Sequence, residues 1–130
     1  MKRHAPIILL LVLAGCASTP ATIPAGLGAA EMFQRAQEAV DKSDFALGIR
    51  YYSLVKASFP DDVIHTVWAS YEVAFLNHKM GKDAEALTLV TAMLDSYSGT
   101  WDTLPADTAA PRILAENLKT KLEALTTKKQ

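Results

Sequence analysis

The chain has almost no cysteine: Cys16 stands alone in 130 residues. One thiol cannot close an internal bridge, so a disulfide-stapled scaffold is excluded. Long apolar runs are missing too. The run Ile7 to Leu13 falls far short of the roughly 20 residues a bilayer-spanning helix needs. Glycine and β-branched runs are sparse while alanine, leucine and valine are plentiful, which favours helix over sheet. There is no excess of positive charge. From Glu31 to Asp107 there are 12 acidic residues against 6 basic ones, the reverse of the basic body of a nucleic-acid binder, so no nucleic-acid partner is expected. Catalytic signatures are missing as well. No glycine-rich loop follows a strand, and no serine sits in a nucleophile elbow. His65 and His78 have no cysteine or paired carboxylate at metal-ligand spacing, and Asp61-Asp62 is accounted for by helix capping. No catalytic residue, metal ligand or cofactor is assigned, and the chain is expected not to be an enzyme.

What is present starts at the front. Lys2 and Arg3 precede the apolar run Ile7 to Leu13, and the small residues Ala14 and Gly15 follow it, the order of a secretory signal. The run ends in Leu13-Ala14-Gly15-Cys16, which resembles the lipobox of bacterial lipoproteins. The resemblance implies a signal peptide over 1–15, cleavage before Cys16, and fatty acylation of that thiol (palmitate among the chains). Each buried methylene contributes about 0.8 kcal/mol, and one chain alone holds only marginally, so several acyl chains are needed for a firm anchor. Ala17, rather than an aspartate, follows Cys16. In lipoproteins of two-membrane cells this implies an outer-membrane address facing the periplasm. The inner membrane and the cell surface stay open.

Without Lys2 and Arg3, the 13 basic residues become 11 against 14 acidic ones. What remains after the leader fits one domain. Residues 16–28, rich in proline, threonine and small side chains, are expected to form a flexible tether. Its reach is about 40 Å at roughly 3.3 Å per residue. A first helix is expected from Ala29 to Lys42, with Met32 or Phe33, Ala36, and Ala39 or Val40 at helical spacing. Ser43-Asp44 ends it, and Asp44 caps a second helix that runs to Phe59. Pro60-Asp61-Asp62 stops that helix and caps a third, which ends at Met80. Gly81 takes the left-handed position after it. Asp83 is expected to cap a fourth helix, and Ser98-Gly99 to end it. Residues 99–110 are expected as loop. A fifth helix over 111–126 has Pro111 in its first turn and Leu114, Leu118, Leu122 and Leu125 on one side. Residues 127–130 form a basic tail, and the whole stretch from Thr108 onward carries 5 bases and 2 acids.

Residues 29–98 read as two similar helical hairpins. An offset of 38 places Ala36 on Ala74, Ser43 on Gly81, Gly48 on Ala86, Val55 on Met93 and Phe59 on Tyr97. Small residues meet small residues, and core positions meet core positions. On Ala36, Ser43-Asp44-Phe45, Gly48, Tyr52 and Pro60, then Ala74, Gly81-Lys82-Asp83 and Ala86, the chain resembles tetratricopeptide repeats (TPRs). The phrase from Asp44 to Pro60 is similar to repeats in TPR lipoproteins of the β-barrel assembly machinery and their relatives. The resemblance implies an all-α fold of TPR-like hairpins, an α-α superhelix of about five helices whose last helix is a cap. Two repeats are few for a continuous core, so weak self-association or a bound partner is expected to add stability.

By the same resemblance, the first helix of each pair lines a groove. That places Phe33, Gln37, Val40, Trp68, Tyr71, Phe75 and His78 on a partner-binding surface. Aromatic anchors bury large area at low entropic cost. The stripe on the third helix reads somewhat more readily as core, since apolar residues at helical spacing are usually buried. The function this implies is a membrane-anchored adaptor holding another envelope protein or peptide segment during envelope assembly. The alternative is a pilot lipoprotein that escorts a secretion-system or secretin-type subunit to the outer membrane.

Overall fold

The computed structural model describes residues 21–128, and within them every regular element is helical. The helices are α1 (Ala29–Asp41), α2 (Phe45–Ser58), α3 (Val63–Lys79), α4 (Asp83–Ser96) and α5 (Ala109–Thr127). Each packs against the next in sequence; α1 also meets α3, and α3 meets α5. The helices therefore lie in two layers, α1, α3 and α5 in one and α2 and α4 in the other. The leader, Cys16 and the start of the tether lie outside the described residues, as do the last two residues of the basic tail. No helix among the described residues is long and apolar enough to cross a membrane.

The two hairpins share one backbone plan at an offset of 38 residues. Lys42, Ser43 and Asp44 donate their N–H groups to Ala39, Val40 and Ala39; Met80, Gly81 and Lys82 donate to Asn77, His78 and Asn77. The left-handed residue is Ser43 in the first turn (φ 62°) and Gly81 in the second (φ 77°). α2 and α4 both run 14 residues, and their ends keep the same offset. Burial repeats as well: Ala36 and Ala74 are both fully enclosed, and Tyr52, Val55, Val90 and Met93 occupy matching interior sites.

Gly48 is where the first hairpin closes most tightly. A Cβ there would sit 2.8 Å from Val40 Cγ2, 3.4 Å from Leu76 Cδ1 and 3.5 Å from Ala36 O. The matching site in the second hairpin, Ala86, is buried with its methyl accommodated.

The interior consists of two apolar clusters joined by α3. Ala69, Val73 and Leu76 face Met32, Ala36, Tyr51, Tyr52 and Val55. Val67, Tyr71 and Ala74 face Ala86, Val90 and Met93 of α4 and Ala115, Leu118 and Leu122 of α5. The single-stripe expectation for α3 missed its first set, because a central helix is buried on two sides and carries no clean apolar face. Asn77, at the hinge of this arrangement, is buried and satisfied: its Nδ2 donates to Val73 O at 2.8 Å.

Several boundaries differ from expectation for local reasons. Asp44 and Asp62 cap as expected, accepting from Leu47 N–H at 3.0 Å and His65 N–H at 3.2 Å. Asp83 does not cap α4. Lys82 holds that position without a side-chain bond, and Asp83 Oδ1 lies 2.7 Å from His78 Nδ1 instead. α5 begins at Ala109, two residues before Pro111, which still falls in the first turn, where a missing N–H breaks no bond. The inward side of α5 is Pro111, Ala115, Leu118 and Leu122; Leu114 is 40% and Ile113 56% exposed. The loop is ordered by two 3₁₀ turns, Trp101–Thr103 and Ala106–Thr108. Trp101 packs on Tyr97 at 5.1 Å and lies 5.4 Å beneath the Arg112 guanidinium. Residues 21–28, expected within the tether, lie along α2: Arg50 donates to Ala21 O at 2.8 Å, and Ile23 and Leu27 pack on the first cluster. Apolar side chains at 23 and 27 have a hydrophobic surface to meet.

Candidate functional site: a cleft across α1, α3 and α5

The inward face of α1 is Met32, Ala36 and Ala39. One residue further along, a helix has turned about 100°. Phe33 and Gln37 therefore look along the layer toward α3. On α3 the corresponding edge carries Ile64, His65, Trp68 and Glu72, and the far wall is Ala106 and Asp107 of the second 3₁₀ turn with Ala109 and Ala110 of α5. Between them lies an open cleft of about 660 Å³. The far wall is mostly alanine, and these short side chains leave the space unfilled.

The aromatic side is held in place. The Phe33 ring meets Tyr52 edge-on at 4.8 Å and His65 at 5.6 Å. Such pairs contribute about 0.5–1.5 kcal/mol beyond area burial. His65 Nδ1 lies 2.8 Å from Asp62 Oδ2, the carboxylate whose other oxygen caps α3, so a single aspartate sets both the helix start and the ring. Glu72 lines the cleft one helical turn beyond Trp68. Burial pushes its carboxyl above the usual range, and among the described residues it has no ion pair or hydrogen-bond partner. Its charge in turn helps raise the buried Tyr52 and Tyr71 hydroxyls, after the larger effect of burial.

Of the seven residues expected on a groove, Phe33, Gln37 and Trp68 line this cleft. The other four lie elsewhere. Val40 packs inside the first hairpin near Gly48. Tyr71 is 8% exposed, within the α3–α4–α5 cluster, and Phe75 packs on that cluster with its ring stacked on Tyr71 at 5.8 Å. His78 is tied to Asp83 across the α3–α4 turn. Ile64, His65 and Glu72 were absent from the sequence-derived set, although each shares the Trp68 edge by helical spacing. Ala106, Asp107, Ala109 and Ala110 arrive through the folded loop, which leaves no periodic signal in the sequence.

The arrangement suits recognition: aromatic surface, an amide at Gln37 and a carboxylate converge on an open space. The His65–Asp62 pair has no serine, threonine or cysteine beside it in the cleft lining. Among the described residues no group of three or more His, Cys, Asp or Glu could hold a metal ion. Compared with family models, curated proteins and solved structures, the chain matches none.

Proposed function

We propose that the protein is a non-catalytic, membrane-anchored adaptor of the bacterial envelope, a TPR-like lipoprotein that holds a segment of another envelope protein in the α1–α3–α5 cleft. The observation that carries this reading is the cleft itself, lined by Phe33 and Gln37 of α1 and Trp68 of α3, with open space between them and α5. Its volume lies within the range of about 300–1,000 Å³ usual for ligand sites, and its open shape suits a peptide. The TPR-like description is supported by the repeated turn at an offset of 38 residues and by the alternation of helices between two layers. The anchor rests on Leu13-Ala14-Gly15-Cys16, and the outer-membrane, periplasm-facing address on Ala17.

Photo-crosslinking in the living cell tests this. A benzophenone amino acid at Gln37 is expected to give one discrete adduct with an envelope protein identified by mass spectrometry. The adduct should vanish with Trp68→Ala and be absent when the probe sits at exposed Glu85. Equal labelling from both positions, or none from Gln37, would remove the adaptor reading. An adduct with a ring-forming secretion subunit would move it to the pilot role.

A further inference from the structure

We infer that the cleft receives a cationic side chain, an arginine or lysine of the docked segment, with Glu72 as its counter-charge and Phe33 and Trp68 as its aromatic walls. This rests on the adaptor reading above and specifies the chemistry of the partner.

The lining contains two carboxylates, Glu72 and Asp107, and neither lysine nor arginine. Glu72 is partly buried beside apolar groups and has no counter-ion among the described residues. A carboxylate withdrawn from water without a partner is unfavourable, and a cation entering the cleft relieves this directly. Phe33 and Trp68 share the space, and aromatic faces attract guanidinium and ammonium groups as well as apolar stems. The helix dipoles act in the opposite direction. The N-terminal ends of α3 and α5 border the cleft, and each carries a charge equivalent to about +0.5. Asp62 already occupies the α3 end. That leaves the α5 end against the two carboxylates of the lining, which has no lysine or arginine, so the balance favours a cation. The stretch around it, with 12 acids to 6 bases between Glu31 and Asp107, acts in the same direction.

The test titrates the full chain in detergent micelles with three peptides: acetyl-Leu-Arg-Leu-amide, its neutral citrulline isostere, and the glutamate version. The signal is the Trp68 indole N–H resonance, assigned with Trp101→Phe. The arginine peptide is expected to bind at least about ten-fold more tightly than the citrulline peptide, the scale of one charge-assisted contact, with the glutamate peptide weakest. Glu72→Gln should bring the arginine-to-citrulline ratio close to one, and Asp107→Asn, at an exposed site, should lower it part of the way. Arginine and citrulline peptides binding Trp68 equally would overturn the charge assignment while leaving the docking role intact. A glutamate preference, or no shift with any peptide, would overturn it as well. The docking role itself is then judged by the Gln37 crosslink.

Discussion

Gly48→Ala should destabilise the protein even though it places a better helix former inside α2. Replacing a helical glycine by alanine ordinarily gains about 1 kcal/mol. Here the new methyl would sit 2.8 Å from Val40 Cγ2, well inside the roughly 3.5–4.0 Å at which carbons attract. Val40 is branched at Cβ and cannot swing its methyl aside cheaply, so α1 must shift or Val40 must leave its rotamer. Overpacking of this kind costs about 1–3 kcal/mol. The net expectation is a loss of up to about 2 kcal/mol, with Tm falling by about 4–8 °C for each kcal/mol lost. The double-mutant cycle makes the reasoning sharper. In a Val40→Ala background the clash disappears, and the remaining neighbours, Leu76 Cδ1 at 3.4 Å and Ala36 O at 3.5 Å, lie at contact distance. Gly48→Ala should then stabilise by about 1 kcal/mol, giving a coupling of about 1–3 kcal/mol. Urea unfolding followed by far-ultraviolet circular dichroism reads all four proteins. An equal stabilisation by Gly48→Ala in both backgrounds would refute the close approach of α1 and α2.

The repeated turn supplies two more predictions. Ser43→Gly should raise stability by about 0.5–1 kcal/mol, since residue 43 already sits at φ 62°, and the reverse change Gly81→Ser should lower it by a similar amount. Lys82→Asp should stabilise by about 1 kcal/mol: Lys82 (φ −89°, ψ 59°) shares the backbone conformation of the capping Asp44 (φ −85°, ψ 71°) but makes no cap bond. Both are read from thermal midpoints. Glu72 gives a pH signature. Its carboxyl is raised above 4.5 by burial, so the folded protein holds this proton more tightly than the unfolded chain does. The stability associated with that proton is fully present below about pH 4.5 and is lost as pH rises through the folded value. Glu72→Gln should therefore be more stable than the parent at neutral pH, and the gap should close on acidification. Tyr52 and Tyr71, the groups that feel the Glu72 charge, are unchanged in both proteins, so the difference reads Glu72.

Much of the helical plan was legible because its signals are local. Asp44 and Asp62 announce helix starts, Gly81 announces a stop, and the 38-residue offset aligns the two turns. What escaped depends on contacts distant in sequence. Asp83 looks like a cap until His78 takes its carboxylate across the turn. Leu114 looks inward by spacing, but α5 is rotated so that Ala115 and Leu118 meet α3 and α4. Tyr71 belongs to the same aromatic stripe as Trp68, yet three residues further along the helix it is enclosed by α4 and α5, while Trp68 packs on the edge of that cluster and also lines the cleft. The cleft needed one more ingredient, the alanine-rich return from Ala106 to Ala110. Nothing in its composition tells which helices it will face.

The most direct test of the cleft as the gripping surface is hydroxyl-radical footprinting of the protein in living cells and again after purification. Oxidation of Phe33 and Trp68 should be low in the cell and rise on purification, while Met80, exposed at the turn between α3 and α4, should react equally in both. Unchanged labelling of Phe33 and Trp68, with Met80 constant, would mean that nothing occupies the cleft where the protein works.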